Sequence, residues 1–338
     1  MKEIDWSKLT FSYTPTDYIV RSHYANGVWE RPYATSDATI PIHVAATALQ
    51  YSQQAFEGLK AYRRMDGTVG IFRPELNAAR LQASAKAMYI APVPTDLFME
   101  AVILAVKKNI DYLPPYGTDA TLYIRPILFG TTPRVGVGPA SEFEFCVVVT
   151  PIGPYYPCGF GTTPFVINRH VDRAAPFGTG QYKVGGNYAS SFRATEPAHE
   201  QGVGVLFLDS AKHRYLDECG AANIFLIKDN TYVTPKSESI LPSITNRSLM
   251  ELCADLGIAV VERPIAVDEL SDFQEAASCG TGAAISPISR ITDPDTGKVY
   301  EYGEKPGPIC QLLYKTIRDI QFGRVEDTHH WCKIINNQ

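Results

Sequence analysis

The segment Gly178-Thr179-Gly180-Gln181-Tyr182-Lys183-Val184-Gly185-Gly186-Asn187-Tyr188 sets four glycines around one lysine. Glycine allows sharp bends and a close backbone approach to a ligand. Lysine suits Schiff-base chemistry, because burial lowers its pKa and frees the amine as a nucleophile. The same composition also describes a flexible surface loop with an incidental lysine. A second segment, Asp217-Glu218-Cys219-Gly220-Ala221-Ala222-Asn223-Ile224-Phe225, puts carboxylates just before small residues and a buried-looking strand. Such a carboxylate can keep a pyridine nitrogen protonated, so that the ring takes up electrons from a carbanion. Taken alone, Asp217 and Glu218 read first as a surface turn.

Two further segments could hold an anion. Leu241-Pro242-Ser243-Ile244-Thr245-Asn246-Arg247-Ser248-Leu249 reads as a loop entering a helix, where free N–H groups and the helix dipole favour phosphate. An ordinary cap by Ser243 or Thr245 explains the same residues. Ser278-Cys279-Gly280-Thr281-Gly282-Ala283-Ala284 could form an anion-binding nest or a tight turn after a strand. Competing motifs are incomplete. Neither Gly178-x-Gly180 nor Gly280-x-Gly282 has the third small residue of a dinucleotide fingerprint, and Gly297-Lys298 lacks the upstream glycine of a P-loop. No Gly-x-Ser-x-Gly elbow and no His-x-x-x-His pair occurs.

These segments need a mixed α and β frame. Val69–Phe72 reads as a strand, followed by a helix from about Pro74 to Met88, with proline suited to its first turn. A second helix is expected from about Thr95, as N-cap, to Ile110, with Phe98, Val102, Ala105 and Val106 as its apolar stripe. Strands are expected at Ala120–Phe129, Phe143–Thr150, Val203–Leu208 and Ile224–Ile227. Helices are expected from Thr245 to Leu256, stopped by Gly257, and from Pro308 to Phe322, stopped by Gly323. The proline cluster near Pro151–Pro157 marks a connection at 151–160 between a smaller domain, 1–150, and a larger one, 161–338.

The 338 residues suffice for one large or two ordinary domains. A net charge of −5 argues against nucleic acid or an anionic membrane as partner. The seven scattered cysteines have neither disulfide nor zinc spacing and read as reduced cytoplasmic thiols. No apolar run reaches the ~18–20 residues of a membrane helix, and no metal site is expected.

Taken in order, Phe56-Glu57-Gly58-Leu59-Lys60-Ala61-Tyr62, Phe72-Arg73-Pro74-Glu75-Leu76-Asn77-Ala78-Ala79-Arg80, Leu122-Tyr123-Ile124-Arg125-Pro126 and Tyr182-Lys183-Val184-Gly185-Gly186-Asn187-Tyr188 resemble the branched-chain aminotransferases. The resemblance runs from about Asp17 to Ile335. It implies a two-domain, fold type IV, pyridoxal 5′-phosphate-dependent aminotransferase. Lys183 then matches the lysine that forms the Schiff base and shuttles the proton, Glu218 the partner of the pyridine nitrogen, and Tyr188 the tyrosine on the phenolic oxygen. Arg80, Ile244, Thr245 and Thr281 match phosphate ligands. Phe56, Tyr51, Tyr155 and Tyr188 match rings around the substrate side chain, and Ala221 and Gly282 match N–H donors to its carboxylate. Tyr123 matches a residue that reaches in from a neighbouring subunit, which implies a homodimer. Arg125 is assigned to the distal carboxylate of 2-oxoglutarate. The position after Thr281 is glycine where several relatives carry alanine. The implied reaction moves the amino group of L-leucine, L-isoleucine or L-valine to 2-oxoglutarate. The alternatives are a D-amino acid aminotransferase or aminodeoxychorismate lyase of the same fold, a silent binding protein, and a nicotinamide-dependent dehydrogenase.

Overall fold

The structure, a computed structural model, describes residues 4–153 and 160–335. These fall into two compact units. Unit 1 holds residues 4–153, Tyr182–Gly185 and 319–335; unit 2 holds residues 160–181 and Gly186–Arg318.

Unit 1 begins with strands β1 (Ile19–Ala25), β2 (Val28–Trp29) and β3 (Tyr33–Thr35), then helix α1 (Thr47–Tyr51). Strands β4 (Gln54–Phe56), β5 (Leu59–Arg63) and β6 (Val69–Phe72) lead to helices α2 (Pro74–Ala87) and α3 (Thr95–Lys108). The long strands β7 (Thr121–Gly130) and β8 (Phe143–Ile152) complete the first run. In unit 2, β9 (Thr163–Asn168) precedes α4 (Gly185–Ala189), which starts at the last residue of the inserted tetrapeptide, and α5 (Phe192–Glu200). There follow β10 (Gly204–Leu208), β11 (Leu216–Cys219), β12 (Asn223–Lys228), β13 (Thr231–Thr234), α6 (Ile244–Asp255) and β14 (Ala259–Glu262). Strands β15 (Glu275–Gly280), β16 (Ala284–Thr292) and β17 (Val299–Glu301) come next, then helix α7 (Pro308–Gln321) and strand β18 (Cys332–Ile335).

Each unit is built on one sheet. In unit 1 the order is β18-β6-β5-β7-β8-β1-β2, with β3 on β1 and β4 on β7, and the pairs are antiparallel. In unit 2 the order is β11-β10-β9-β16-β15-β12-β13-β14, with β17 on β16. Here β9 runs parallel to both β10 and β16, and β13 runs parallel to β14.

Local sequence explains the elements that matter for the site. Pro74 stands at the start of α2, where its missing N–H costs no helical bond, and Arg73 enters it from the left-handed region at φ 48°. On α3, Phe98, Val102, Ala105 and Val106 are completely buried, as their spacing predicts. The expected cap at Thr95 is wrong: Pro94 occupies the N-cap position and no side chain caps the helix. Proline cannot continue a helix upstream, so it stops the first turn one residue earlier. Ser243, in contrast, caps α6, its Oγ accepting from Asn246 N at 3.1 Å. Gly257 and Gly323 follow α6 and α7 at φ 68° and 67°. The β1–β2 hairpin escaped the sequence reading. Ala25 pairs with Val28 across Asn26-Gly27, whose φ angles of 52° and 85° make the turn.

Candidate active site

Lys183 lies within the tetrapeptide Tyr182–Gly185 of unit 1. Both its backbone groups are anchored there. Its N–H donates to Ser84 Oγ on α2 at 3.0 Å, and its carbonyl accepts from Phe56 N at the end of β4 at 3.1 Å. Val184 beside it is buried in the unit 1 core. The lysine is therefore not on a flexible surface loop. Its amine sits 4.9 Å from the Phe56 ring centroid.

The next layer is an ion pair. Glu57 is fully buried (0% exposed), and Arg80 grips it with Nε to Oε1 at 2.7 Å and Nη2 to Oε2 at 2.8 Å. Asn77 Nδ2 and the Gly58 N–H also donate to Oε2, at 2.8 and 3.2 Å. Burial alone would raise the Glu57 carboxyl, but the charge and hydrogen bonds of Arg80, with Lys183 and Asn77, hold it below the usual range. Burial and then the nearby Arg80 charge bring Lys183 down to about 8, against the opposing pull of Glu57 and Tyr123. The sign is clear for chemistry. Modification of Lys183 by an amine-directed acylating agent, followed by mass spectrometry, is expected to rise through pH 8 and then level off. An ordinary lysine, near 10.5, would still be gaining reactivity at pH 10.

Tyr123 and Arg125 stand two residues apart on β7 and so face the same side of the sheet. Arg125 Nη2 donates to the Tyr123 hydroxyl at 2.9 Å, and its Cζ lies 5.0 Å from the Phe56 ring. Phe56, Arg80, Tyr123, Arg125 and Lys183 thus gather in one unit of one chain. Tyr123 takes this place beside the lysine of its own chain. Tyr51 stands apart on α1: it is exposed, and its hydroxyl donates to the Val135 carbonyl. Tyr155 lies outside the described residues.

Unit 2 holds the other predicted residues. Glu218 is not on a surface turn: it is in β11 and almost fully buried. Its Oε1 accepts from Leu241 N at 2.5 Å and lies 3.5 Å from Arg173 Nη2, itself buried. The Oδ2 of the neighbouring Asp217 accepts from Ser239 Oγ at 2.6 Å. Burial pushes its carboxyl up, against hydrogen bonds from Ser239 and Ser237 and the charge of Arg173. Leu241 is fixed in turn by Asn223 Nδ2, which donates to its carbonyl at 3.1 Å.

Three predicted anion contacts lie at chain turns of this unit. Ala221 is at an exposed hairpin tip, closed by Cys219 and Ala222 exchanging bonds of 2.7 and 3.0 Å. Thr281 and Gly282 form the turn between β15 and β16. Because Asn223 pairs with Cys279, the two turns sit at the same end of adjacent strands. Ile244 and Thr245 open α6, whose start is tied to the sheet by Asn246. That side chain accepts from Tyr232 Oη at 2.5 Å and donates to Thr234 Oγ1 at 3.2 Å. Tyr188 is half-buried on α4. Upstream, Gly180 has no room for a side chain, since a Cβ would come within 2.5 Å of Ser239 Cα.

The profile described as amino-transferase class IV matches residues 54–291. The branched-chain-amino-acid aminotransferase of Haemophilus influenzae is 44% identical over 339 residues, covering 98% of both chains. The enzyme of that name from Helicobacter pylori is 41% identical, again over 98% of each. The chain belongs to the branched-chain aminotransferases of class IV. Solved structures agree on the fold, which is type IV. The Escherichia coli branched-chain amino acid aminotransferase aligns with a TM-score of 0.78 at 26% identity, covering 95% of this chain and 100% of that one. The branched-chain aminotransferase of Thermoproteus uzoniensis, solved with norvaline, aligns with a TM-score of 0.74 at 25% identity, covering 94% and 100%.

In this aminotransferase several side chains at the site escaped the sequence reading. Glu57 lies in a motif shared with the family but carried no expected role, and Asn77, Ser84 and Arg173 went unremarked. No local signal marks them: their partners are 20 or more residues away in sequence. Cys219, one residue from Glu218 and so the first thiol to suspect of redox chemistry, is buried, and burial pushes its pKa well up, which disfavours the reactive thiolate. No group of three or more His, Cys, Asp or Glu among the described residues could hold a metal, and none of the described helices is long and apolar enough to cross a membrane.

Proposed function

We propose that this aminotransferase transfers the α-amino group of L-leucine, L-isoleucine or L-valine to 2-oxoglutarate, with pyridoxal 5′-phosphate held by Lys183. The observation that carries the reading is the amine of Lys183, its pKa brought to about 8 beside the buried Arg80–Glu57 pair. The donor set fits the cofactor: an amine for its aldehyde, an arginine and a helix start for its phosphate, and a buried carboxylate for its ring nitrogen. When bound, that group supplies an electrophilic carbon and a ring that stabilises a carbanion.

The chain's own residues do the rest. Lys183 Nζ takes a proton from the substrate α-carbon and returns it elsewhere. Glu218, fixed by Leu241 N–H and Arg173, would partner the ring nitrogen. The family match assigns Arg80, Ile244, Thr245 and Thr281 to the phosphate. Tyr188 serves the phenolic oxygen. By the family match Phe56 and Tyr188 serve the branched side chain, and an apolar surface separates such side chains weakly because one methylene is worth about 1–3 kcal/mol. Ala221 and Gly282 N–H groups serve the substrate carboxylate, and Arg125 the distal carboxylate of 2-oxoglutarate. We further infer a homodimer in the cytoplasm, without a role for Tyr123 in the neighbouring site since it stands beside the lysine of its own chain, and a division into an N-terminal domain (1–150), a connection and a larger cofactor-binding domain (161–338).

The visible spectrum of the purified protein tests this. Yellow protein that loses its band with L-leucine and regains it with 2-oxoglutarate is the expected result. Protein that stays colourless with added cofactor overturns the cofactor assignment. A response to D-leucine alone would move the activity to D-amino acids.

A further inference from the structure

Helix α2 carries a polar stripe on a buried face. Asn77, Arg80 and Ser84 are spaced i, i+3 and i+7, which places them along one side of a helix. The first two hold Glu57, and the third holds the backbone N–H of Lys183. Ser84 is fully buried, so the bond to Lys183 has no water to replace it. On the far side of the same residue, the Lys183 carbonyl accepts from Phe56 N. Gly185 then lies flush on β4, where a Cβ would collide with Gln54 Nε2. With both flanking peptide groups pinned, the position of the Lys183 Cα and the direction of its side chain are set.

We propose that Ser84 is a positioning residue that aims Lys183 at the cofactor aldehyde. This rests on the assignment of Lys183 to pyridoxal phosphate. Attachment is a condensation: the neutral amine nitrogen forms a double bond to the aldehyde carbon, and its two hydrogens leave with the aldehyde oxygen as one water. The aldehyde is carried on a rigid ring whose phosphate and nitrogen have ligands of their own, so the lysine alone does not choose its place. The amine must therefore meet a fixed target, and a displacement of about 1 Å can cost on the order of 10²-fold. Losing Ser84 Oγ leaves the Lys183 N–H buried without an acceptor, and the tetrapeptide shifts to find one.

Two ligands separate this role from general damage. Pyridoxal phosphate forms the covalent bond to lysine. Pyridoxamine phosphate has the same ring and phosphate but no aldehyde, so it binds without that bond. Dissociation constants for both are measured on wild type, Ser84→Ala and Ser84→Cys by fluorescence quenching, with melting temperatures alongside. Wild-type binding of both tests the cofactor assignment by itself. The inference expects Ser84→Ala to weaken pyridoxal phosphate roughly 10-fold or more, with pyridoxamine phosphate changed less than about 2-fold. Ser84→Cys, of similar size but a weaker acceptor, should fall between and serves if the alanine variant does not fold. Equal weakening of both ligands, or no change in either, overturns it.

Discussion

Replacing Lys183 by alanine should cut transamination by about 10³-fold or more, measured as the rate of 2-oxo acid release from L-leucine. The variant loses both the amine that attaches the cofactor and the base that moves the α-proton. Unfolding should not explain the loss. The folded pKa of Lys183 is about 8, below its ordinary 10.5, so the folded state resists protonating it. That burden is present below pH 8 and fades as the pH rises from 8 to 10.5, because over that window the unfolded chain binds the extra proton. Alanine removes the burden, so at about pH 7 the variant should melt no lower than wild type. Partial rescue by added methylamine would separate the missing base from any displaced backbone. Activity within about tenfold of wild type would remove Lys183 from the chemistry.

Glu57→Ala should lower stability by about 3–5 kcal/mol, the usual cost of leaving one member of a buried pair alone. Arg80 is 11% exposed at its side chain, so water can do little to replace two hydrogen bonds at 2.7 and 2.8 Å. Asn77 loses a partner as well. Urea unfolding of the cofactor-free protein would read the effect as a fall in the midpoint. Glu57→Gln should be milder, since it keeps the shape and an acceptor. A midpoint unchanged by alanine would mean that Arg80 finds another anion or that the pair contributes little.

Much of this was legible in the sequence, for identifiable reasons. Val69–Phe72 and α2 are bounded by Pro74, and α3 by a complete apolar stripe, so period and punctuation agree there. Two of the four glycines around Lys183 are required by close contacts, Gly180 by the Ser239 backbone and Gly185 by the Gln54 side chain, whereas a Cβ on Gly186 would meet nothing within 4 Å. The β1–β2 hairpin carries its signal in Asn26-Gly27 but was missed, because β2 is only two residues long. The polar face of α2 was not. A buried stripe of Asn77, Arg80 and Ser84 looks in sequence like a solvated one, because the partners that justify burying it come from residues 57 and 183. Glu218 and Asp217 likewise looked like a turn until the β10–β11 pairing placed them in a sheet.

The interleaving of the two units bears on how the protein is made. Val184 and Ile335 both belong to the unit 1 core, and Ile335 pairs with Val69 through β18. A ribosome delivers β8 early and β18 last. At ordinary synthesis rates of about 5–20 residues per second, roughly 10–40 s separate them. Throughout that interval β6 is an open strand edge, a template for wrong pairing. The lysine reaches its seat against Ser84 and Phe56 partway through the same wait. Nascent chains stalled before residue 332 should therefore engage chaperones and resist forming a protease-stable N-terminal fragment, however complete residues 4–153 look on their own.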